Sequence, residues 1–339
     1  MDYAARGSFG VGHQTLQVSD GGRTLEVELW YPAADVEGPE PSEIYVASPQ
    51  RPEFVALRNA APAECPTLEL RAAGNATPKG SGWPLIVYSH CVSCINLSGA
   101  SLAIRLASHG FAVAAPNHAG PLPFASEDTK EPLTTDQLAV READLELVID
   151  QITSGAALPE ALKGHIDGTR IGALGHSFGS VTVGKLAQDD SRIRAVFGLA
   201  APMENPLLPG VDMSQIKVPT ALLIAQEDNS VQEVGNSLIR KNYEELSVPA
   251  LEVEVYDAGH WSVSDLCGIA DFTPGCGEGT RHSAGRQGET FDYLPVSQGI
   301  AIAQSYTTAF FRAELLGEAP AREFMQHEHP EGGVGVRFK

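Results

Sequence analysis

The chain of 339 residues carries 43 Asp and Glu against 23 Lys and Arg, a formal charge of -20 at pH 7, which excludes nucleic acid and anionic membrane surfaces as natural partners. No apolar run approaches the length that spans a bilayer, and a chain of this size buries ample core without metal or disulfides. In chain order, residues 13–31 read as two antiparallel strands joined by the Asp20-Gly21-Gly22 turn. Residues 34–82, rich in Pro, Ala, Glu and Gly, read as an insertion with a helix around Glu53 to Ala61, and as a candidate wall of a site entrance. Apolar runs predict strands at 84–89, 111–115, 170–175, 194–199, 219–225 and 251–256. Helices are predicted near 98–109, 135–153, 178–188, 231–246 and 296–315. Strand followed by helix, repeated, gives a mostly parallel, doubly wound sheet with its chemistry at the strand carboxyl ends. The expected organisation is one α/β domain over 1–339, with loop insertions at 34–82, 117–134 and 261–294 and a C-terminal tail at 318–339.

The most informative stretch is Gly175-His176-Ser177-Phe178-Gly179, set between the apolar run Arg170–Leu174 and a small-residue helix start at Ser180. A G-x-S-x-G in that strand–turn–helix setting is the signature of a nucleophile elbow, whose tight turn leaves no room for side chains two positions either side of the serine. The chain order Ser, acid, His continues from there. Pro219–Ala225 ends in Gln226-Glu227-Asp228-Asn229, and the alternating run Leu251–Tyr256 ends in Asp257-Ala258-Gly259-His260-Trp261. Both acid and histidine then stand at the sheet edge where the elbow sits. His260 is the expected base for Ser177, and Asp228 the carboxylate that orients its ring, with Glu227 the alternative. Asp257 is too near His260 on one loop to reach the far side of its ring. His90 and His118 are expected to bond loops, and His109 to end a helix.

An oxyanion hole needs two backbone N–H groups. Phe178 follows the nucleophile and supplies one. The loop after strand 84–89, Ser89-His90-Cys91-Val92, supplies the other from Val92, with Cys91 the neighbouring candidate. Cys91, His176 and Trp261 are candidate pocket residues. Arg141 and Asp144, three apart on a helix, can pair with each other or brace a loop. The aromatics Phe272 and Phe291 in 261–294 either rim a lid or anchor a long loop.

These stretches together resemble an α/β-hydrolase of the platelet-activating-factor acetylhydrolase-like branch, related to dienelactone hydrolases. The similarity runs through Phe9–Leu16, Leu25–Ala33, Ala107–His118, the Arg141-x-x-Asp144 pair and Gly259–Cys267. Two departures stand out. The family's Ser-His-Gly is Ser89-His90-Cys91 here, and the cysteine nucleophile of dienelactone hydrolases is replaced by Ser177. The resemblance implies a serine hydrolase without cofactor, acting through an acyl-enzyme on small or short-acyl esters, among them acetyl esters of phospholipid type or polyester ends. A lactonase or amidase with the same triad, or a non-catalytic binding protein on the same fold, are the alternatives.

Five cysteines leave one unpaired if two bridges form. The expected bridge is Cys267 with Cys276; Cys65 with Cys94 is a second, leaving Cys91, and a fully reduced chain is the other reading. The Cys91-x-x-Cys94 pair lacks a second ligand pair at the spacing zinc needs, and His327 and His329 sit in a Glu-, Pro- and Gly-rich tail read as solvated rather than metal-binding. Asn75-Ala76-Thr77 and Asn96-Leu97-Ser98 match glycosylation acceptors by pattern. Residues 1–6 lack the apolar core of a signal peptide, yet a soluble protein, secreted or periplasmic after loss of a leader, is the expectation.

Overall fold

A computed structural model describes residues 3–34, 51–68, 70–118, 132–270, 273–327 and 333–339. Expectations for Phe272, His329 and most of the 117–134 loop lie outside these residues. The strands are β1 (Gly10–Ser19), β2 (Thr24–Ala33), β3 (Ala73–Gly74), β4 (Trp83–Ser89), β5 (Ala112–Pro116), β6 (Ile166–His176), β7 (Ile193–Leu199), β8 (Thr220–Ala225), β9 (Ala250–Val255), β10 (Glu278–Thr280), β11 (Thr290–Asp292) and β12 (Val334–Phe338). The helices are α1 (Arg51–Ala60), α2 (Ala100–Ser108), α3 (Thr135–Thr153), α4 (Phe178–Asp189), α5 (Gln232–Glu245), α6 (Val296–Leu316) and α7 (Ala319–Met325).

Among the described residues, ten strands form one sheet in the order β12-β9-β8-β7-β6-β4-β5-β2-β1-β3. The six central strands, β5 to β9 with β4, are parallel, while β2 joins β5, and β12 joins β9, antiparallel. Side chains alternate between faces along a strand, so each central strand feeds two cores. Ile86, Tyr88, Val113, Leu174, Phe197 and Leu223 pack toward α2 and α6. Leu85, Val87, Ala114, Ala173, Val196 and Leu222 pack toward α3, α4 and α5. The chain leaves β4 toward β5, then crosses back to β6 and runs on through β7, β8 and β9. The loops after the paired strands β4 and β6 therefore diverge, and a crevice opens at that switch point.

The elements at the two ends differ from expectation. Residues 318–339, read as a tail, supply α7 and the edge strand β12, whose Val334–Phe338 pairs with Val255–Leu251. The described part of the 34–82 insertion docks Phe54 and Leu70 into the α2–α6 core rather than walling the crevice. In the 261–294 segment, β10 and β11 form a hairpin, Phe291 stacks edge-on to Tyr293 at 4.6 Å, and Arg281 lies 4.5 Å over the Phe291 ring. These aromatics anchor the loop.

The cysteine pairing also differs. Cys65 is bonded to Cys276, with 5.5 Å between Cα atoms, and Cys91 to Cys94, with 5.2 Å. Cys267, expected to pair, is a free buried thiol, and Cys91, expected to be free, is paired. The fold brings the segment after α1 back over the loop that follows β9, and this long-range approach puts Cys65 beside Cys276. No helix among the described residues is long and apolar enough to cross a membrane.

Candidate active site

Ser177 sits between β6 and α4 with φ 58° and ψ -121°, a conformation L-residues avoid. The flanking glycines make it attainable. A Cβ on Gly175 would overlap the Gly179 carbonyl, and a Cβ on Gly179 would overlap the Ser89 carbonyl of the neighbouring loop. The Ser177 Oγ lies 2.9 Å from His260 Nε2, and His260 Nδ1 lies 2.7 Å from Asp228 Oδ2. His260 stands in the loop after β9 and Asp228 in the loop after β8, as their places in the sequence predict. The other oxygen of Asp228 accepts from the Ser230 N–H at 2.8 Å and the Val231 N–H at 2.7 Å. With both oxygens occupied, the buried carboxylate has its desolvation offset and its orientation fixed.

Glu227 points elsewhere. Its carboxylate takes the Arg281 guanidinium and Ser283 Oγ at 2.7 Å each, with the His282 and Ser283 N–H groups at 2.7 and 3.0 Å. Burial pushes its pKa up, but the Ser283, Arg281 and His282 bonds outweigh that and leave it below the ordinary value. Asp257 also binds Arg281.

His176, inside the elbow, is fully buried and donates Nε2–H to the His260 carbonyl at 3.0 Å. Burial, and then the adjacent His260, press its pKa down to about 3. It is a neutral prop under the His260 loop. Trp261 packs edge-on against the His260 ring at 5.0 Å. Neither residue, nor buried Cys91, is among the described residues that line the crevice at Ser177; His176 and Trp261 pack against His260, and Cys91 precedes Val92, which does line it.

The crevice is a pocket of about 350 Å³ onto which Ser177, Phe178 and Val92 open. Val181, Pro202, Leu208, Val231 and Leu238 supply apolar walls, and Leu133, Leu207 and Val234 stand exposed on it. Sequence reading missed these residues. Their one signal is position, since Ala201–Pro202 lie just past the carboxyl end of β7 and Val231 is the residue before α5. Phe178 is the first residue of α4, so its N–H is one of the amides a helix start leaves without an intrahelical partner.

A second serine–histidine–aspartate set is buried in the fold. His118 bonds Ser89 Oγ at 3.1 Å through Nε2 and Asp144 Oδ2 at 2.9 Å through Nδ1. Ser89 is 0% exposed, whereas Ser177 is 9% exposed and opens on the pocket. Access separates the two: the inner set braces the loop after β4. Arg23 also binds Asp144, so Arg141 and Asp144 act as separate braces rather than as a pair.

A strained serine at a β6–α4 elbow, on a parallel sheet flanked by helices with acid and histidine on the next loops, defines an α/β-hydrolase. A solved structure of similar fold is the ferulic acid esterase from Streptomyces cinnamoneus, with a TM-score of 0.70 and 23% identity over 97% of this chain and 96% of that one. The chain belongs to the PET hydrolase-like family, whose model matches residues 86–265, more than half its length. The model of platelet-activating factor acetylhydrolase, isoform II, matches residues 3–137. Bovine (Bos taurus) platelet-activating factor acetylhydrolase is 31% identical over 169 residues, covering 39% of this chain and 38% of that protein. The dog (Canis lupus familiaris) protein is 27% identical over 186 residues, covering 44% and 41%. The chain thus matches about two-fifths of the length of these curated relatives.

Proposed function

We propose that the protein hydrolyses small carboxylic esters through an acyl-enzyme on Ser177. His260 Nε2 takes the Ser177 proton as Oγ attacks the ester carbonyl, and Asp228 holds the ring in the Nδ1–H tautomer and stabilises the imidazolium. The carbonyl oxygen, now an anion, is met by the N–H groups of Phe178 and Val92. His260 returns the proton to the departing alcohol. It then takes one from water, which attacks the acyl-enzyme and frees the acid. The observation that carries this reading is the unbroken relay of 2.9 and 2.7 Å from Ser177 through His260 to Asp228, at the mouth of an apolar pocket.

The pocket's walls favour a compact apolar group next to the scissile carbonyl, and its volume of about 350 Å³ suits a short acyl chain or a small ring. The names of the relatives, acetylhydrolase, PET hydrolase-like and ferulic acid esterase, are compatible with esters of that kind. The test is turnover of aryl esters of graded acyl length by the wild type and by Ser177→Ala. Alanine should cut kcat by at least about 10³-fold, and a fluorophosphonate should label the wild type at Ser177. More than a tenth of the activity left in Ser177→Ala would remove the nucleophile assignment.

A further inference from the structure

α3 buries a stripe formed by Leu138, Arg141, Leu145, Val148 and Ile152. Four of these are apolar, as a helix face toward a core should be. The fifth is an arginine with no exposure at all. A permanent cation at a core position is a costly choice unless its donors are used. Among the described residues, Arg141 directs two of them at one short stretch of backbone. Nη1 donates to the His90 carbonyl at 2.5 Å, and Nη2 to the Cys91 carbonyl at 3.0 Å. The face of the same guanidinium lies 4.5 Å over the Phe178 ring.

The Cys91 carbonyl receives a second donor. His90 accepts the His118 N–H on Nε2 at 3.0 Å, so its proton is on Nδ1, which donates to the Cys91 carbonyl at 2.7 Å. That carbonyl belongs to the same peptide group as the Val92 N–H. The chain has no cis peptide among the described residues, so the N–H points away from the carbonyl and from Arg141. Val92 lines the pocket beside Ser177. With the Cys94 N–H at 3.3 Å, three hydrogen bonds meet on the oxygen, one of them from a cation; together they draw electron density through the amide, making its N–H a stronger donor and fixing its direction.

We propose that Arg141 is a positioning residue of the oxyanion hole: it aims and polarises the Cys91–Val92 peptide while its stacked face steadies Phe178, the residue of the other donor. This rests on the reading above in which both N–H groups meet the oxyanion. It also accounts for the departure at Cys91. Where a glycine's freedom is absent, the peptide orientation is held by the Arg141 and His90 bonds and by the Cys91–Cys94 disulfide.

A brace that merely supports the fold and one that tunes the transition state predict different kinetics. Arg141→Lys keeps the charge but replaces the fork with a single ammonium, which cannot serve both carbonyls and stack on Phe178. Turnover is expressed per site labelled by fluorophosphonate at completion, so misfolded molecules do not count. The expected result is a fall in kcat of about 10- to 100-fold, less than the loss of a whole oxyanion donor, with KM within about twofold. Affinity for a trifluoromethyl ketone, which forms an oxyanion on Ser177, should fall by the same factor as kcat. His90→Asn, which leaves Arg141 in place, should show the same split at smaller amplitude. Unchanged kcat and ketone affinity in Arg141→Lys would overturn the proposal, as would an equal loss of substrate and ketone affinity. The esterase reading fails separately, by persistence of turnover in Ser177→Ala.

Discussion

Adjacent carboxylates with opposite tasks show how much a single residue's direction decides. The sequence narrows the acid to Glu227 or Asp228, because strand β8 ends just before both, but it cannot say which side chain turns toward β9. In the structure Asp228 faces His260, and Glu227 faces the backbone of 281–283. Asp228→Asn should cut kcat by about 10⁴-fold, because the amide donates where the ring needs an acceptor and the wrong tautomer results. Glu227→Gln should leave kcat within a few-fold and instead lower stability by about 1–3 kcal/mol, the cost of weakening charged hydrogen bonds on a buried group. Measuring kcat and the urea midpoint for both variants checks the pair, and the reverse ranking in kcat would move the acid to Glu227. The serine and histidine were legible for a different reason. Each follows a clear strand pattern, an apolar run before Ser177 and an alternating one before His260, so its place at the sheet edge follows from the pattern. Wall residues such as Leu208 and Leu238 were not legible, because nothing in an apolar residue's neighbours says whether it faces a core or a cavity.

At the level of elements, the central strands and long helices could be read because period and length agree with burial on both faces. The strand β12 could not, since Val334–Phe338 is five residues in a Gly- and Glu-rich neighbourhood, and its role as a sheet edge depends on where β9 ends up. Disulfides were the plainest failure. Nearness in sequence favours Cys267 with Cys276, whereas the fold carries Cys65 across 211 residues to Cys276 and closes Cys91 on Cys94. Alkylation under denaturing, non-reducing conditions should therefore modify one thiol, Cys267. The native protein should resist modification, because burial shields this thiol and pushes its pKa up to about 12. Five modified thiols, or a label on Cys91, would contradict the pairing. The bridges should also differ in weight. By loop-closure entropy, removing Cys65–Cys276 costs about 5 kcal/mol and removing Cys91–Cys94 about 2 kcal/mol, a ranking that urea unfolding of the double serine variants can test.

Across the whole molecule, two buried titratable groups tie the loop that carries His260 to the sheet and to α2. His176 props the His260 loop from β6. Asp265, buried, accepts the Ser101 N–H at 2.7 Å near the start of α2. Their titrations oppose each other. His176 has its pKa pressed from 6.5 to about 3, so the folded state binds fewer protons than the unfolded one between these values, and its contribution to stability is lost as pH falls. Asp265 is pushed by burial from 3.8 to about 6, against the pull of Arg58 and Ser101, so the folded state binds more protons there and stability is lost as pH rises. Between about pH 4 and 6 the two slopes, each on the order of 1.4 kcal/mol per pH unit, largely cancel. Asp265→Asn removes one of them. Relative to wild type, the variant should gain stability steadily from pH 4 to 6, by about 3 kcal/mol in all, and hold a constant gap above that. Groups that titrate in both proteins drop out of the comparison. Urea unfolding at pH 4, 5, 6 and 7 gives the gap directly, and a gap that does not change with pH would mean that Asp265 keeps its proton, or its charge, throughout.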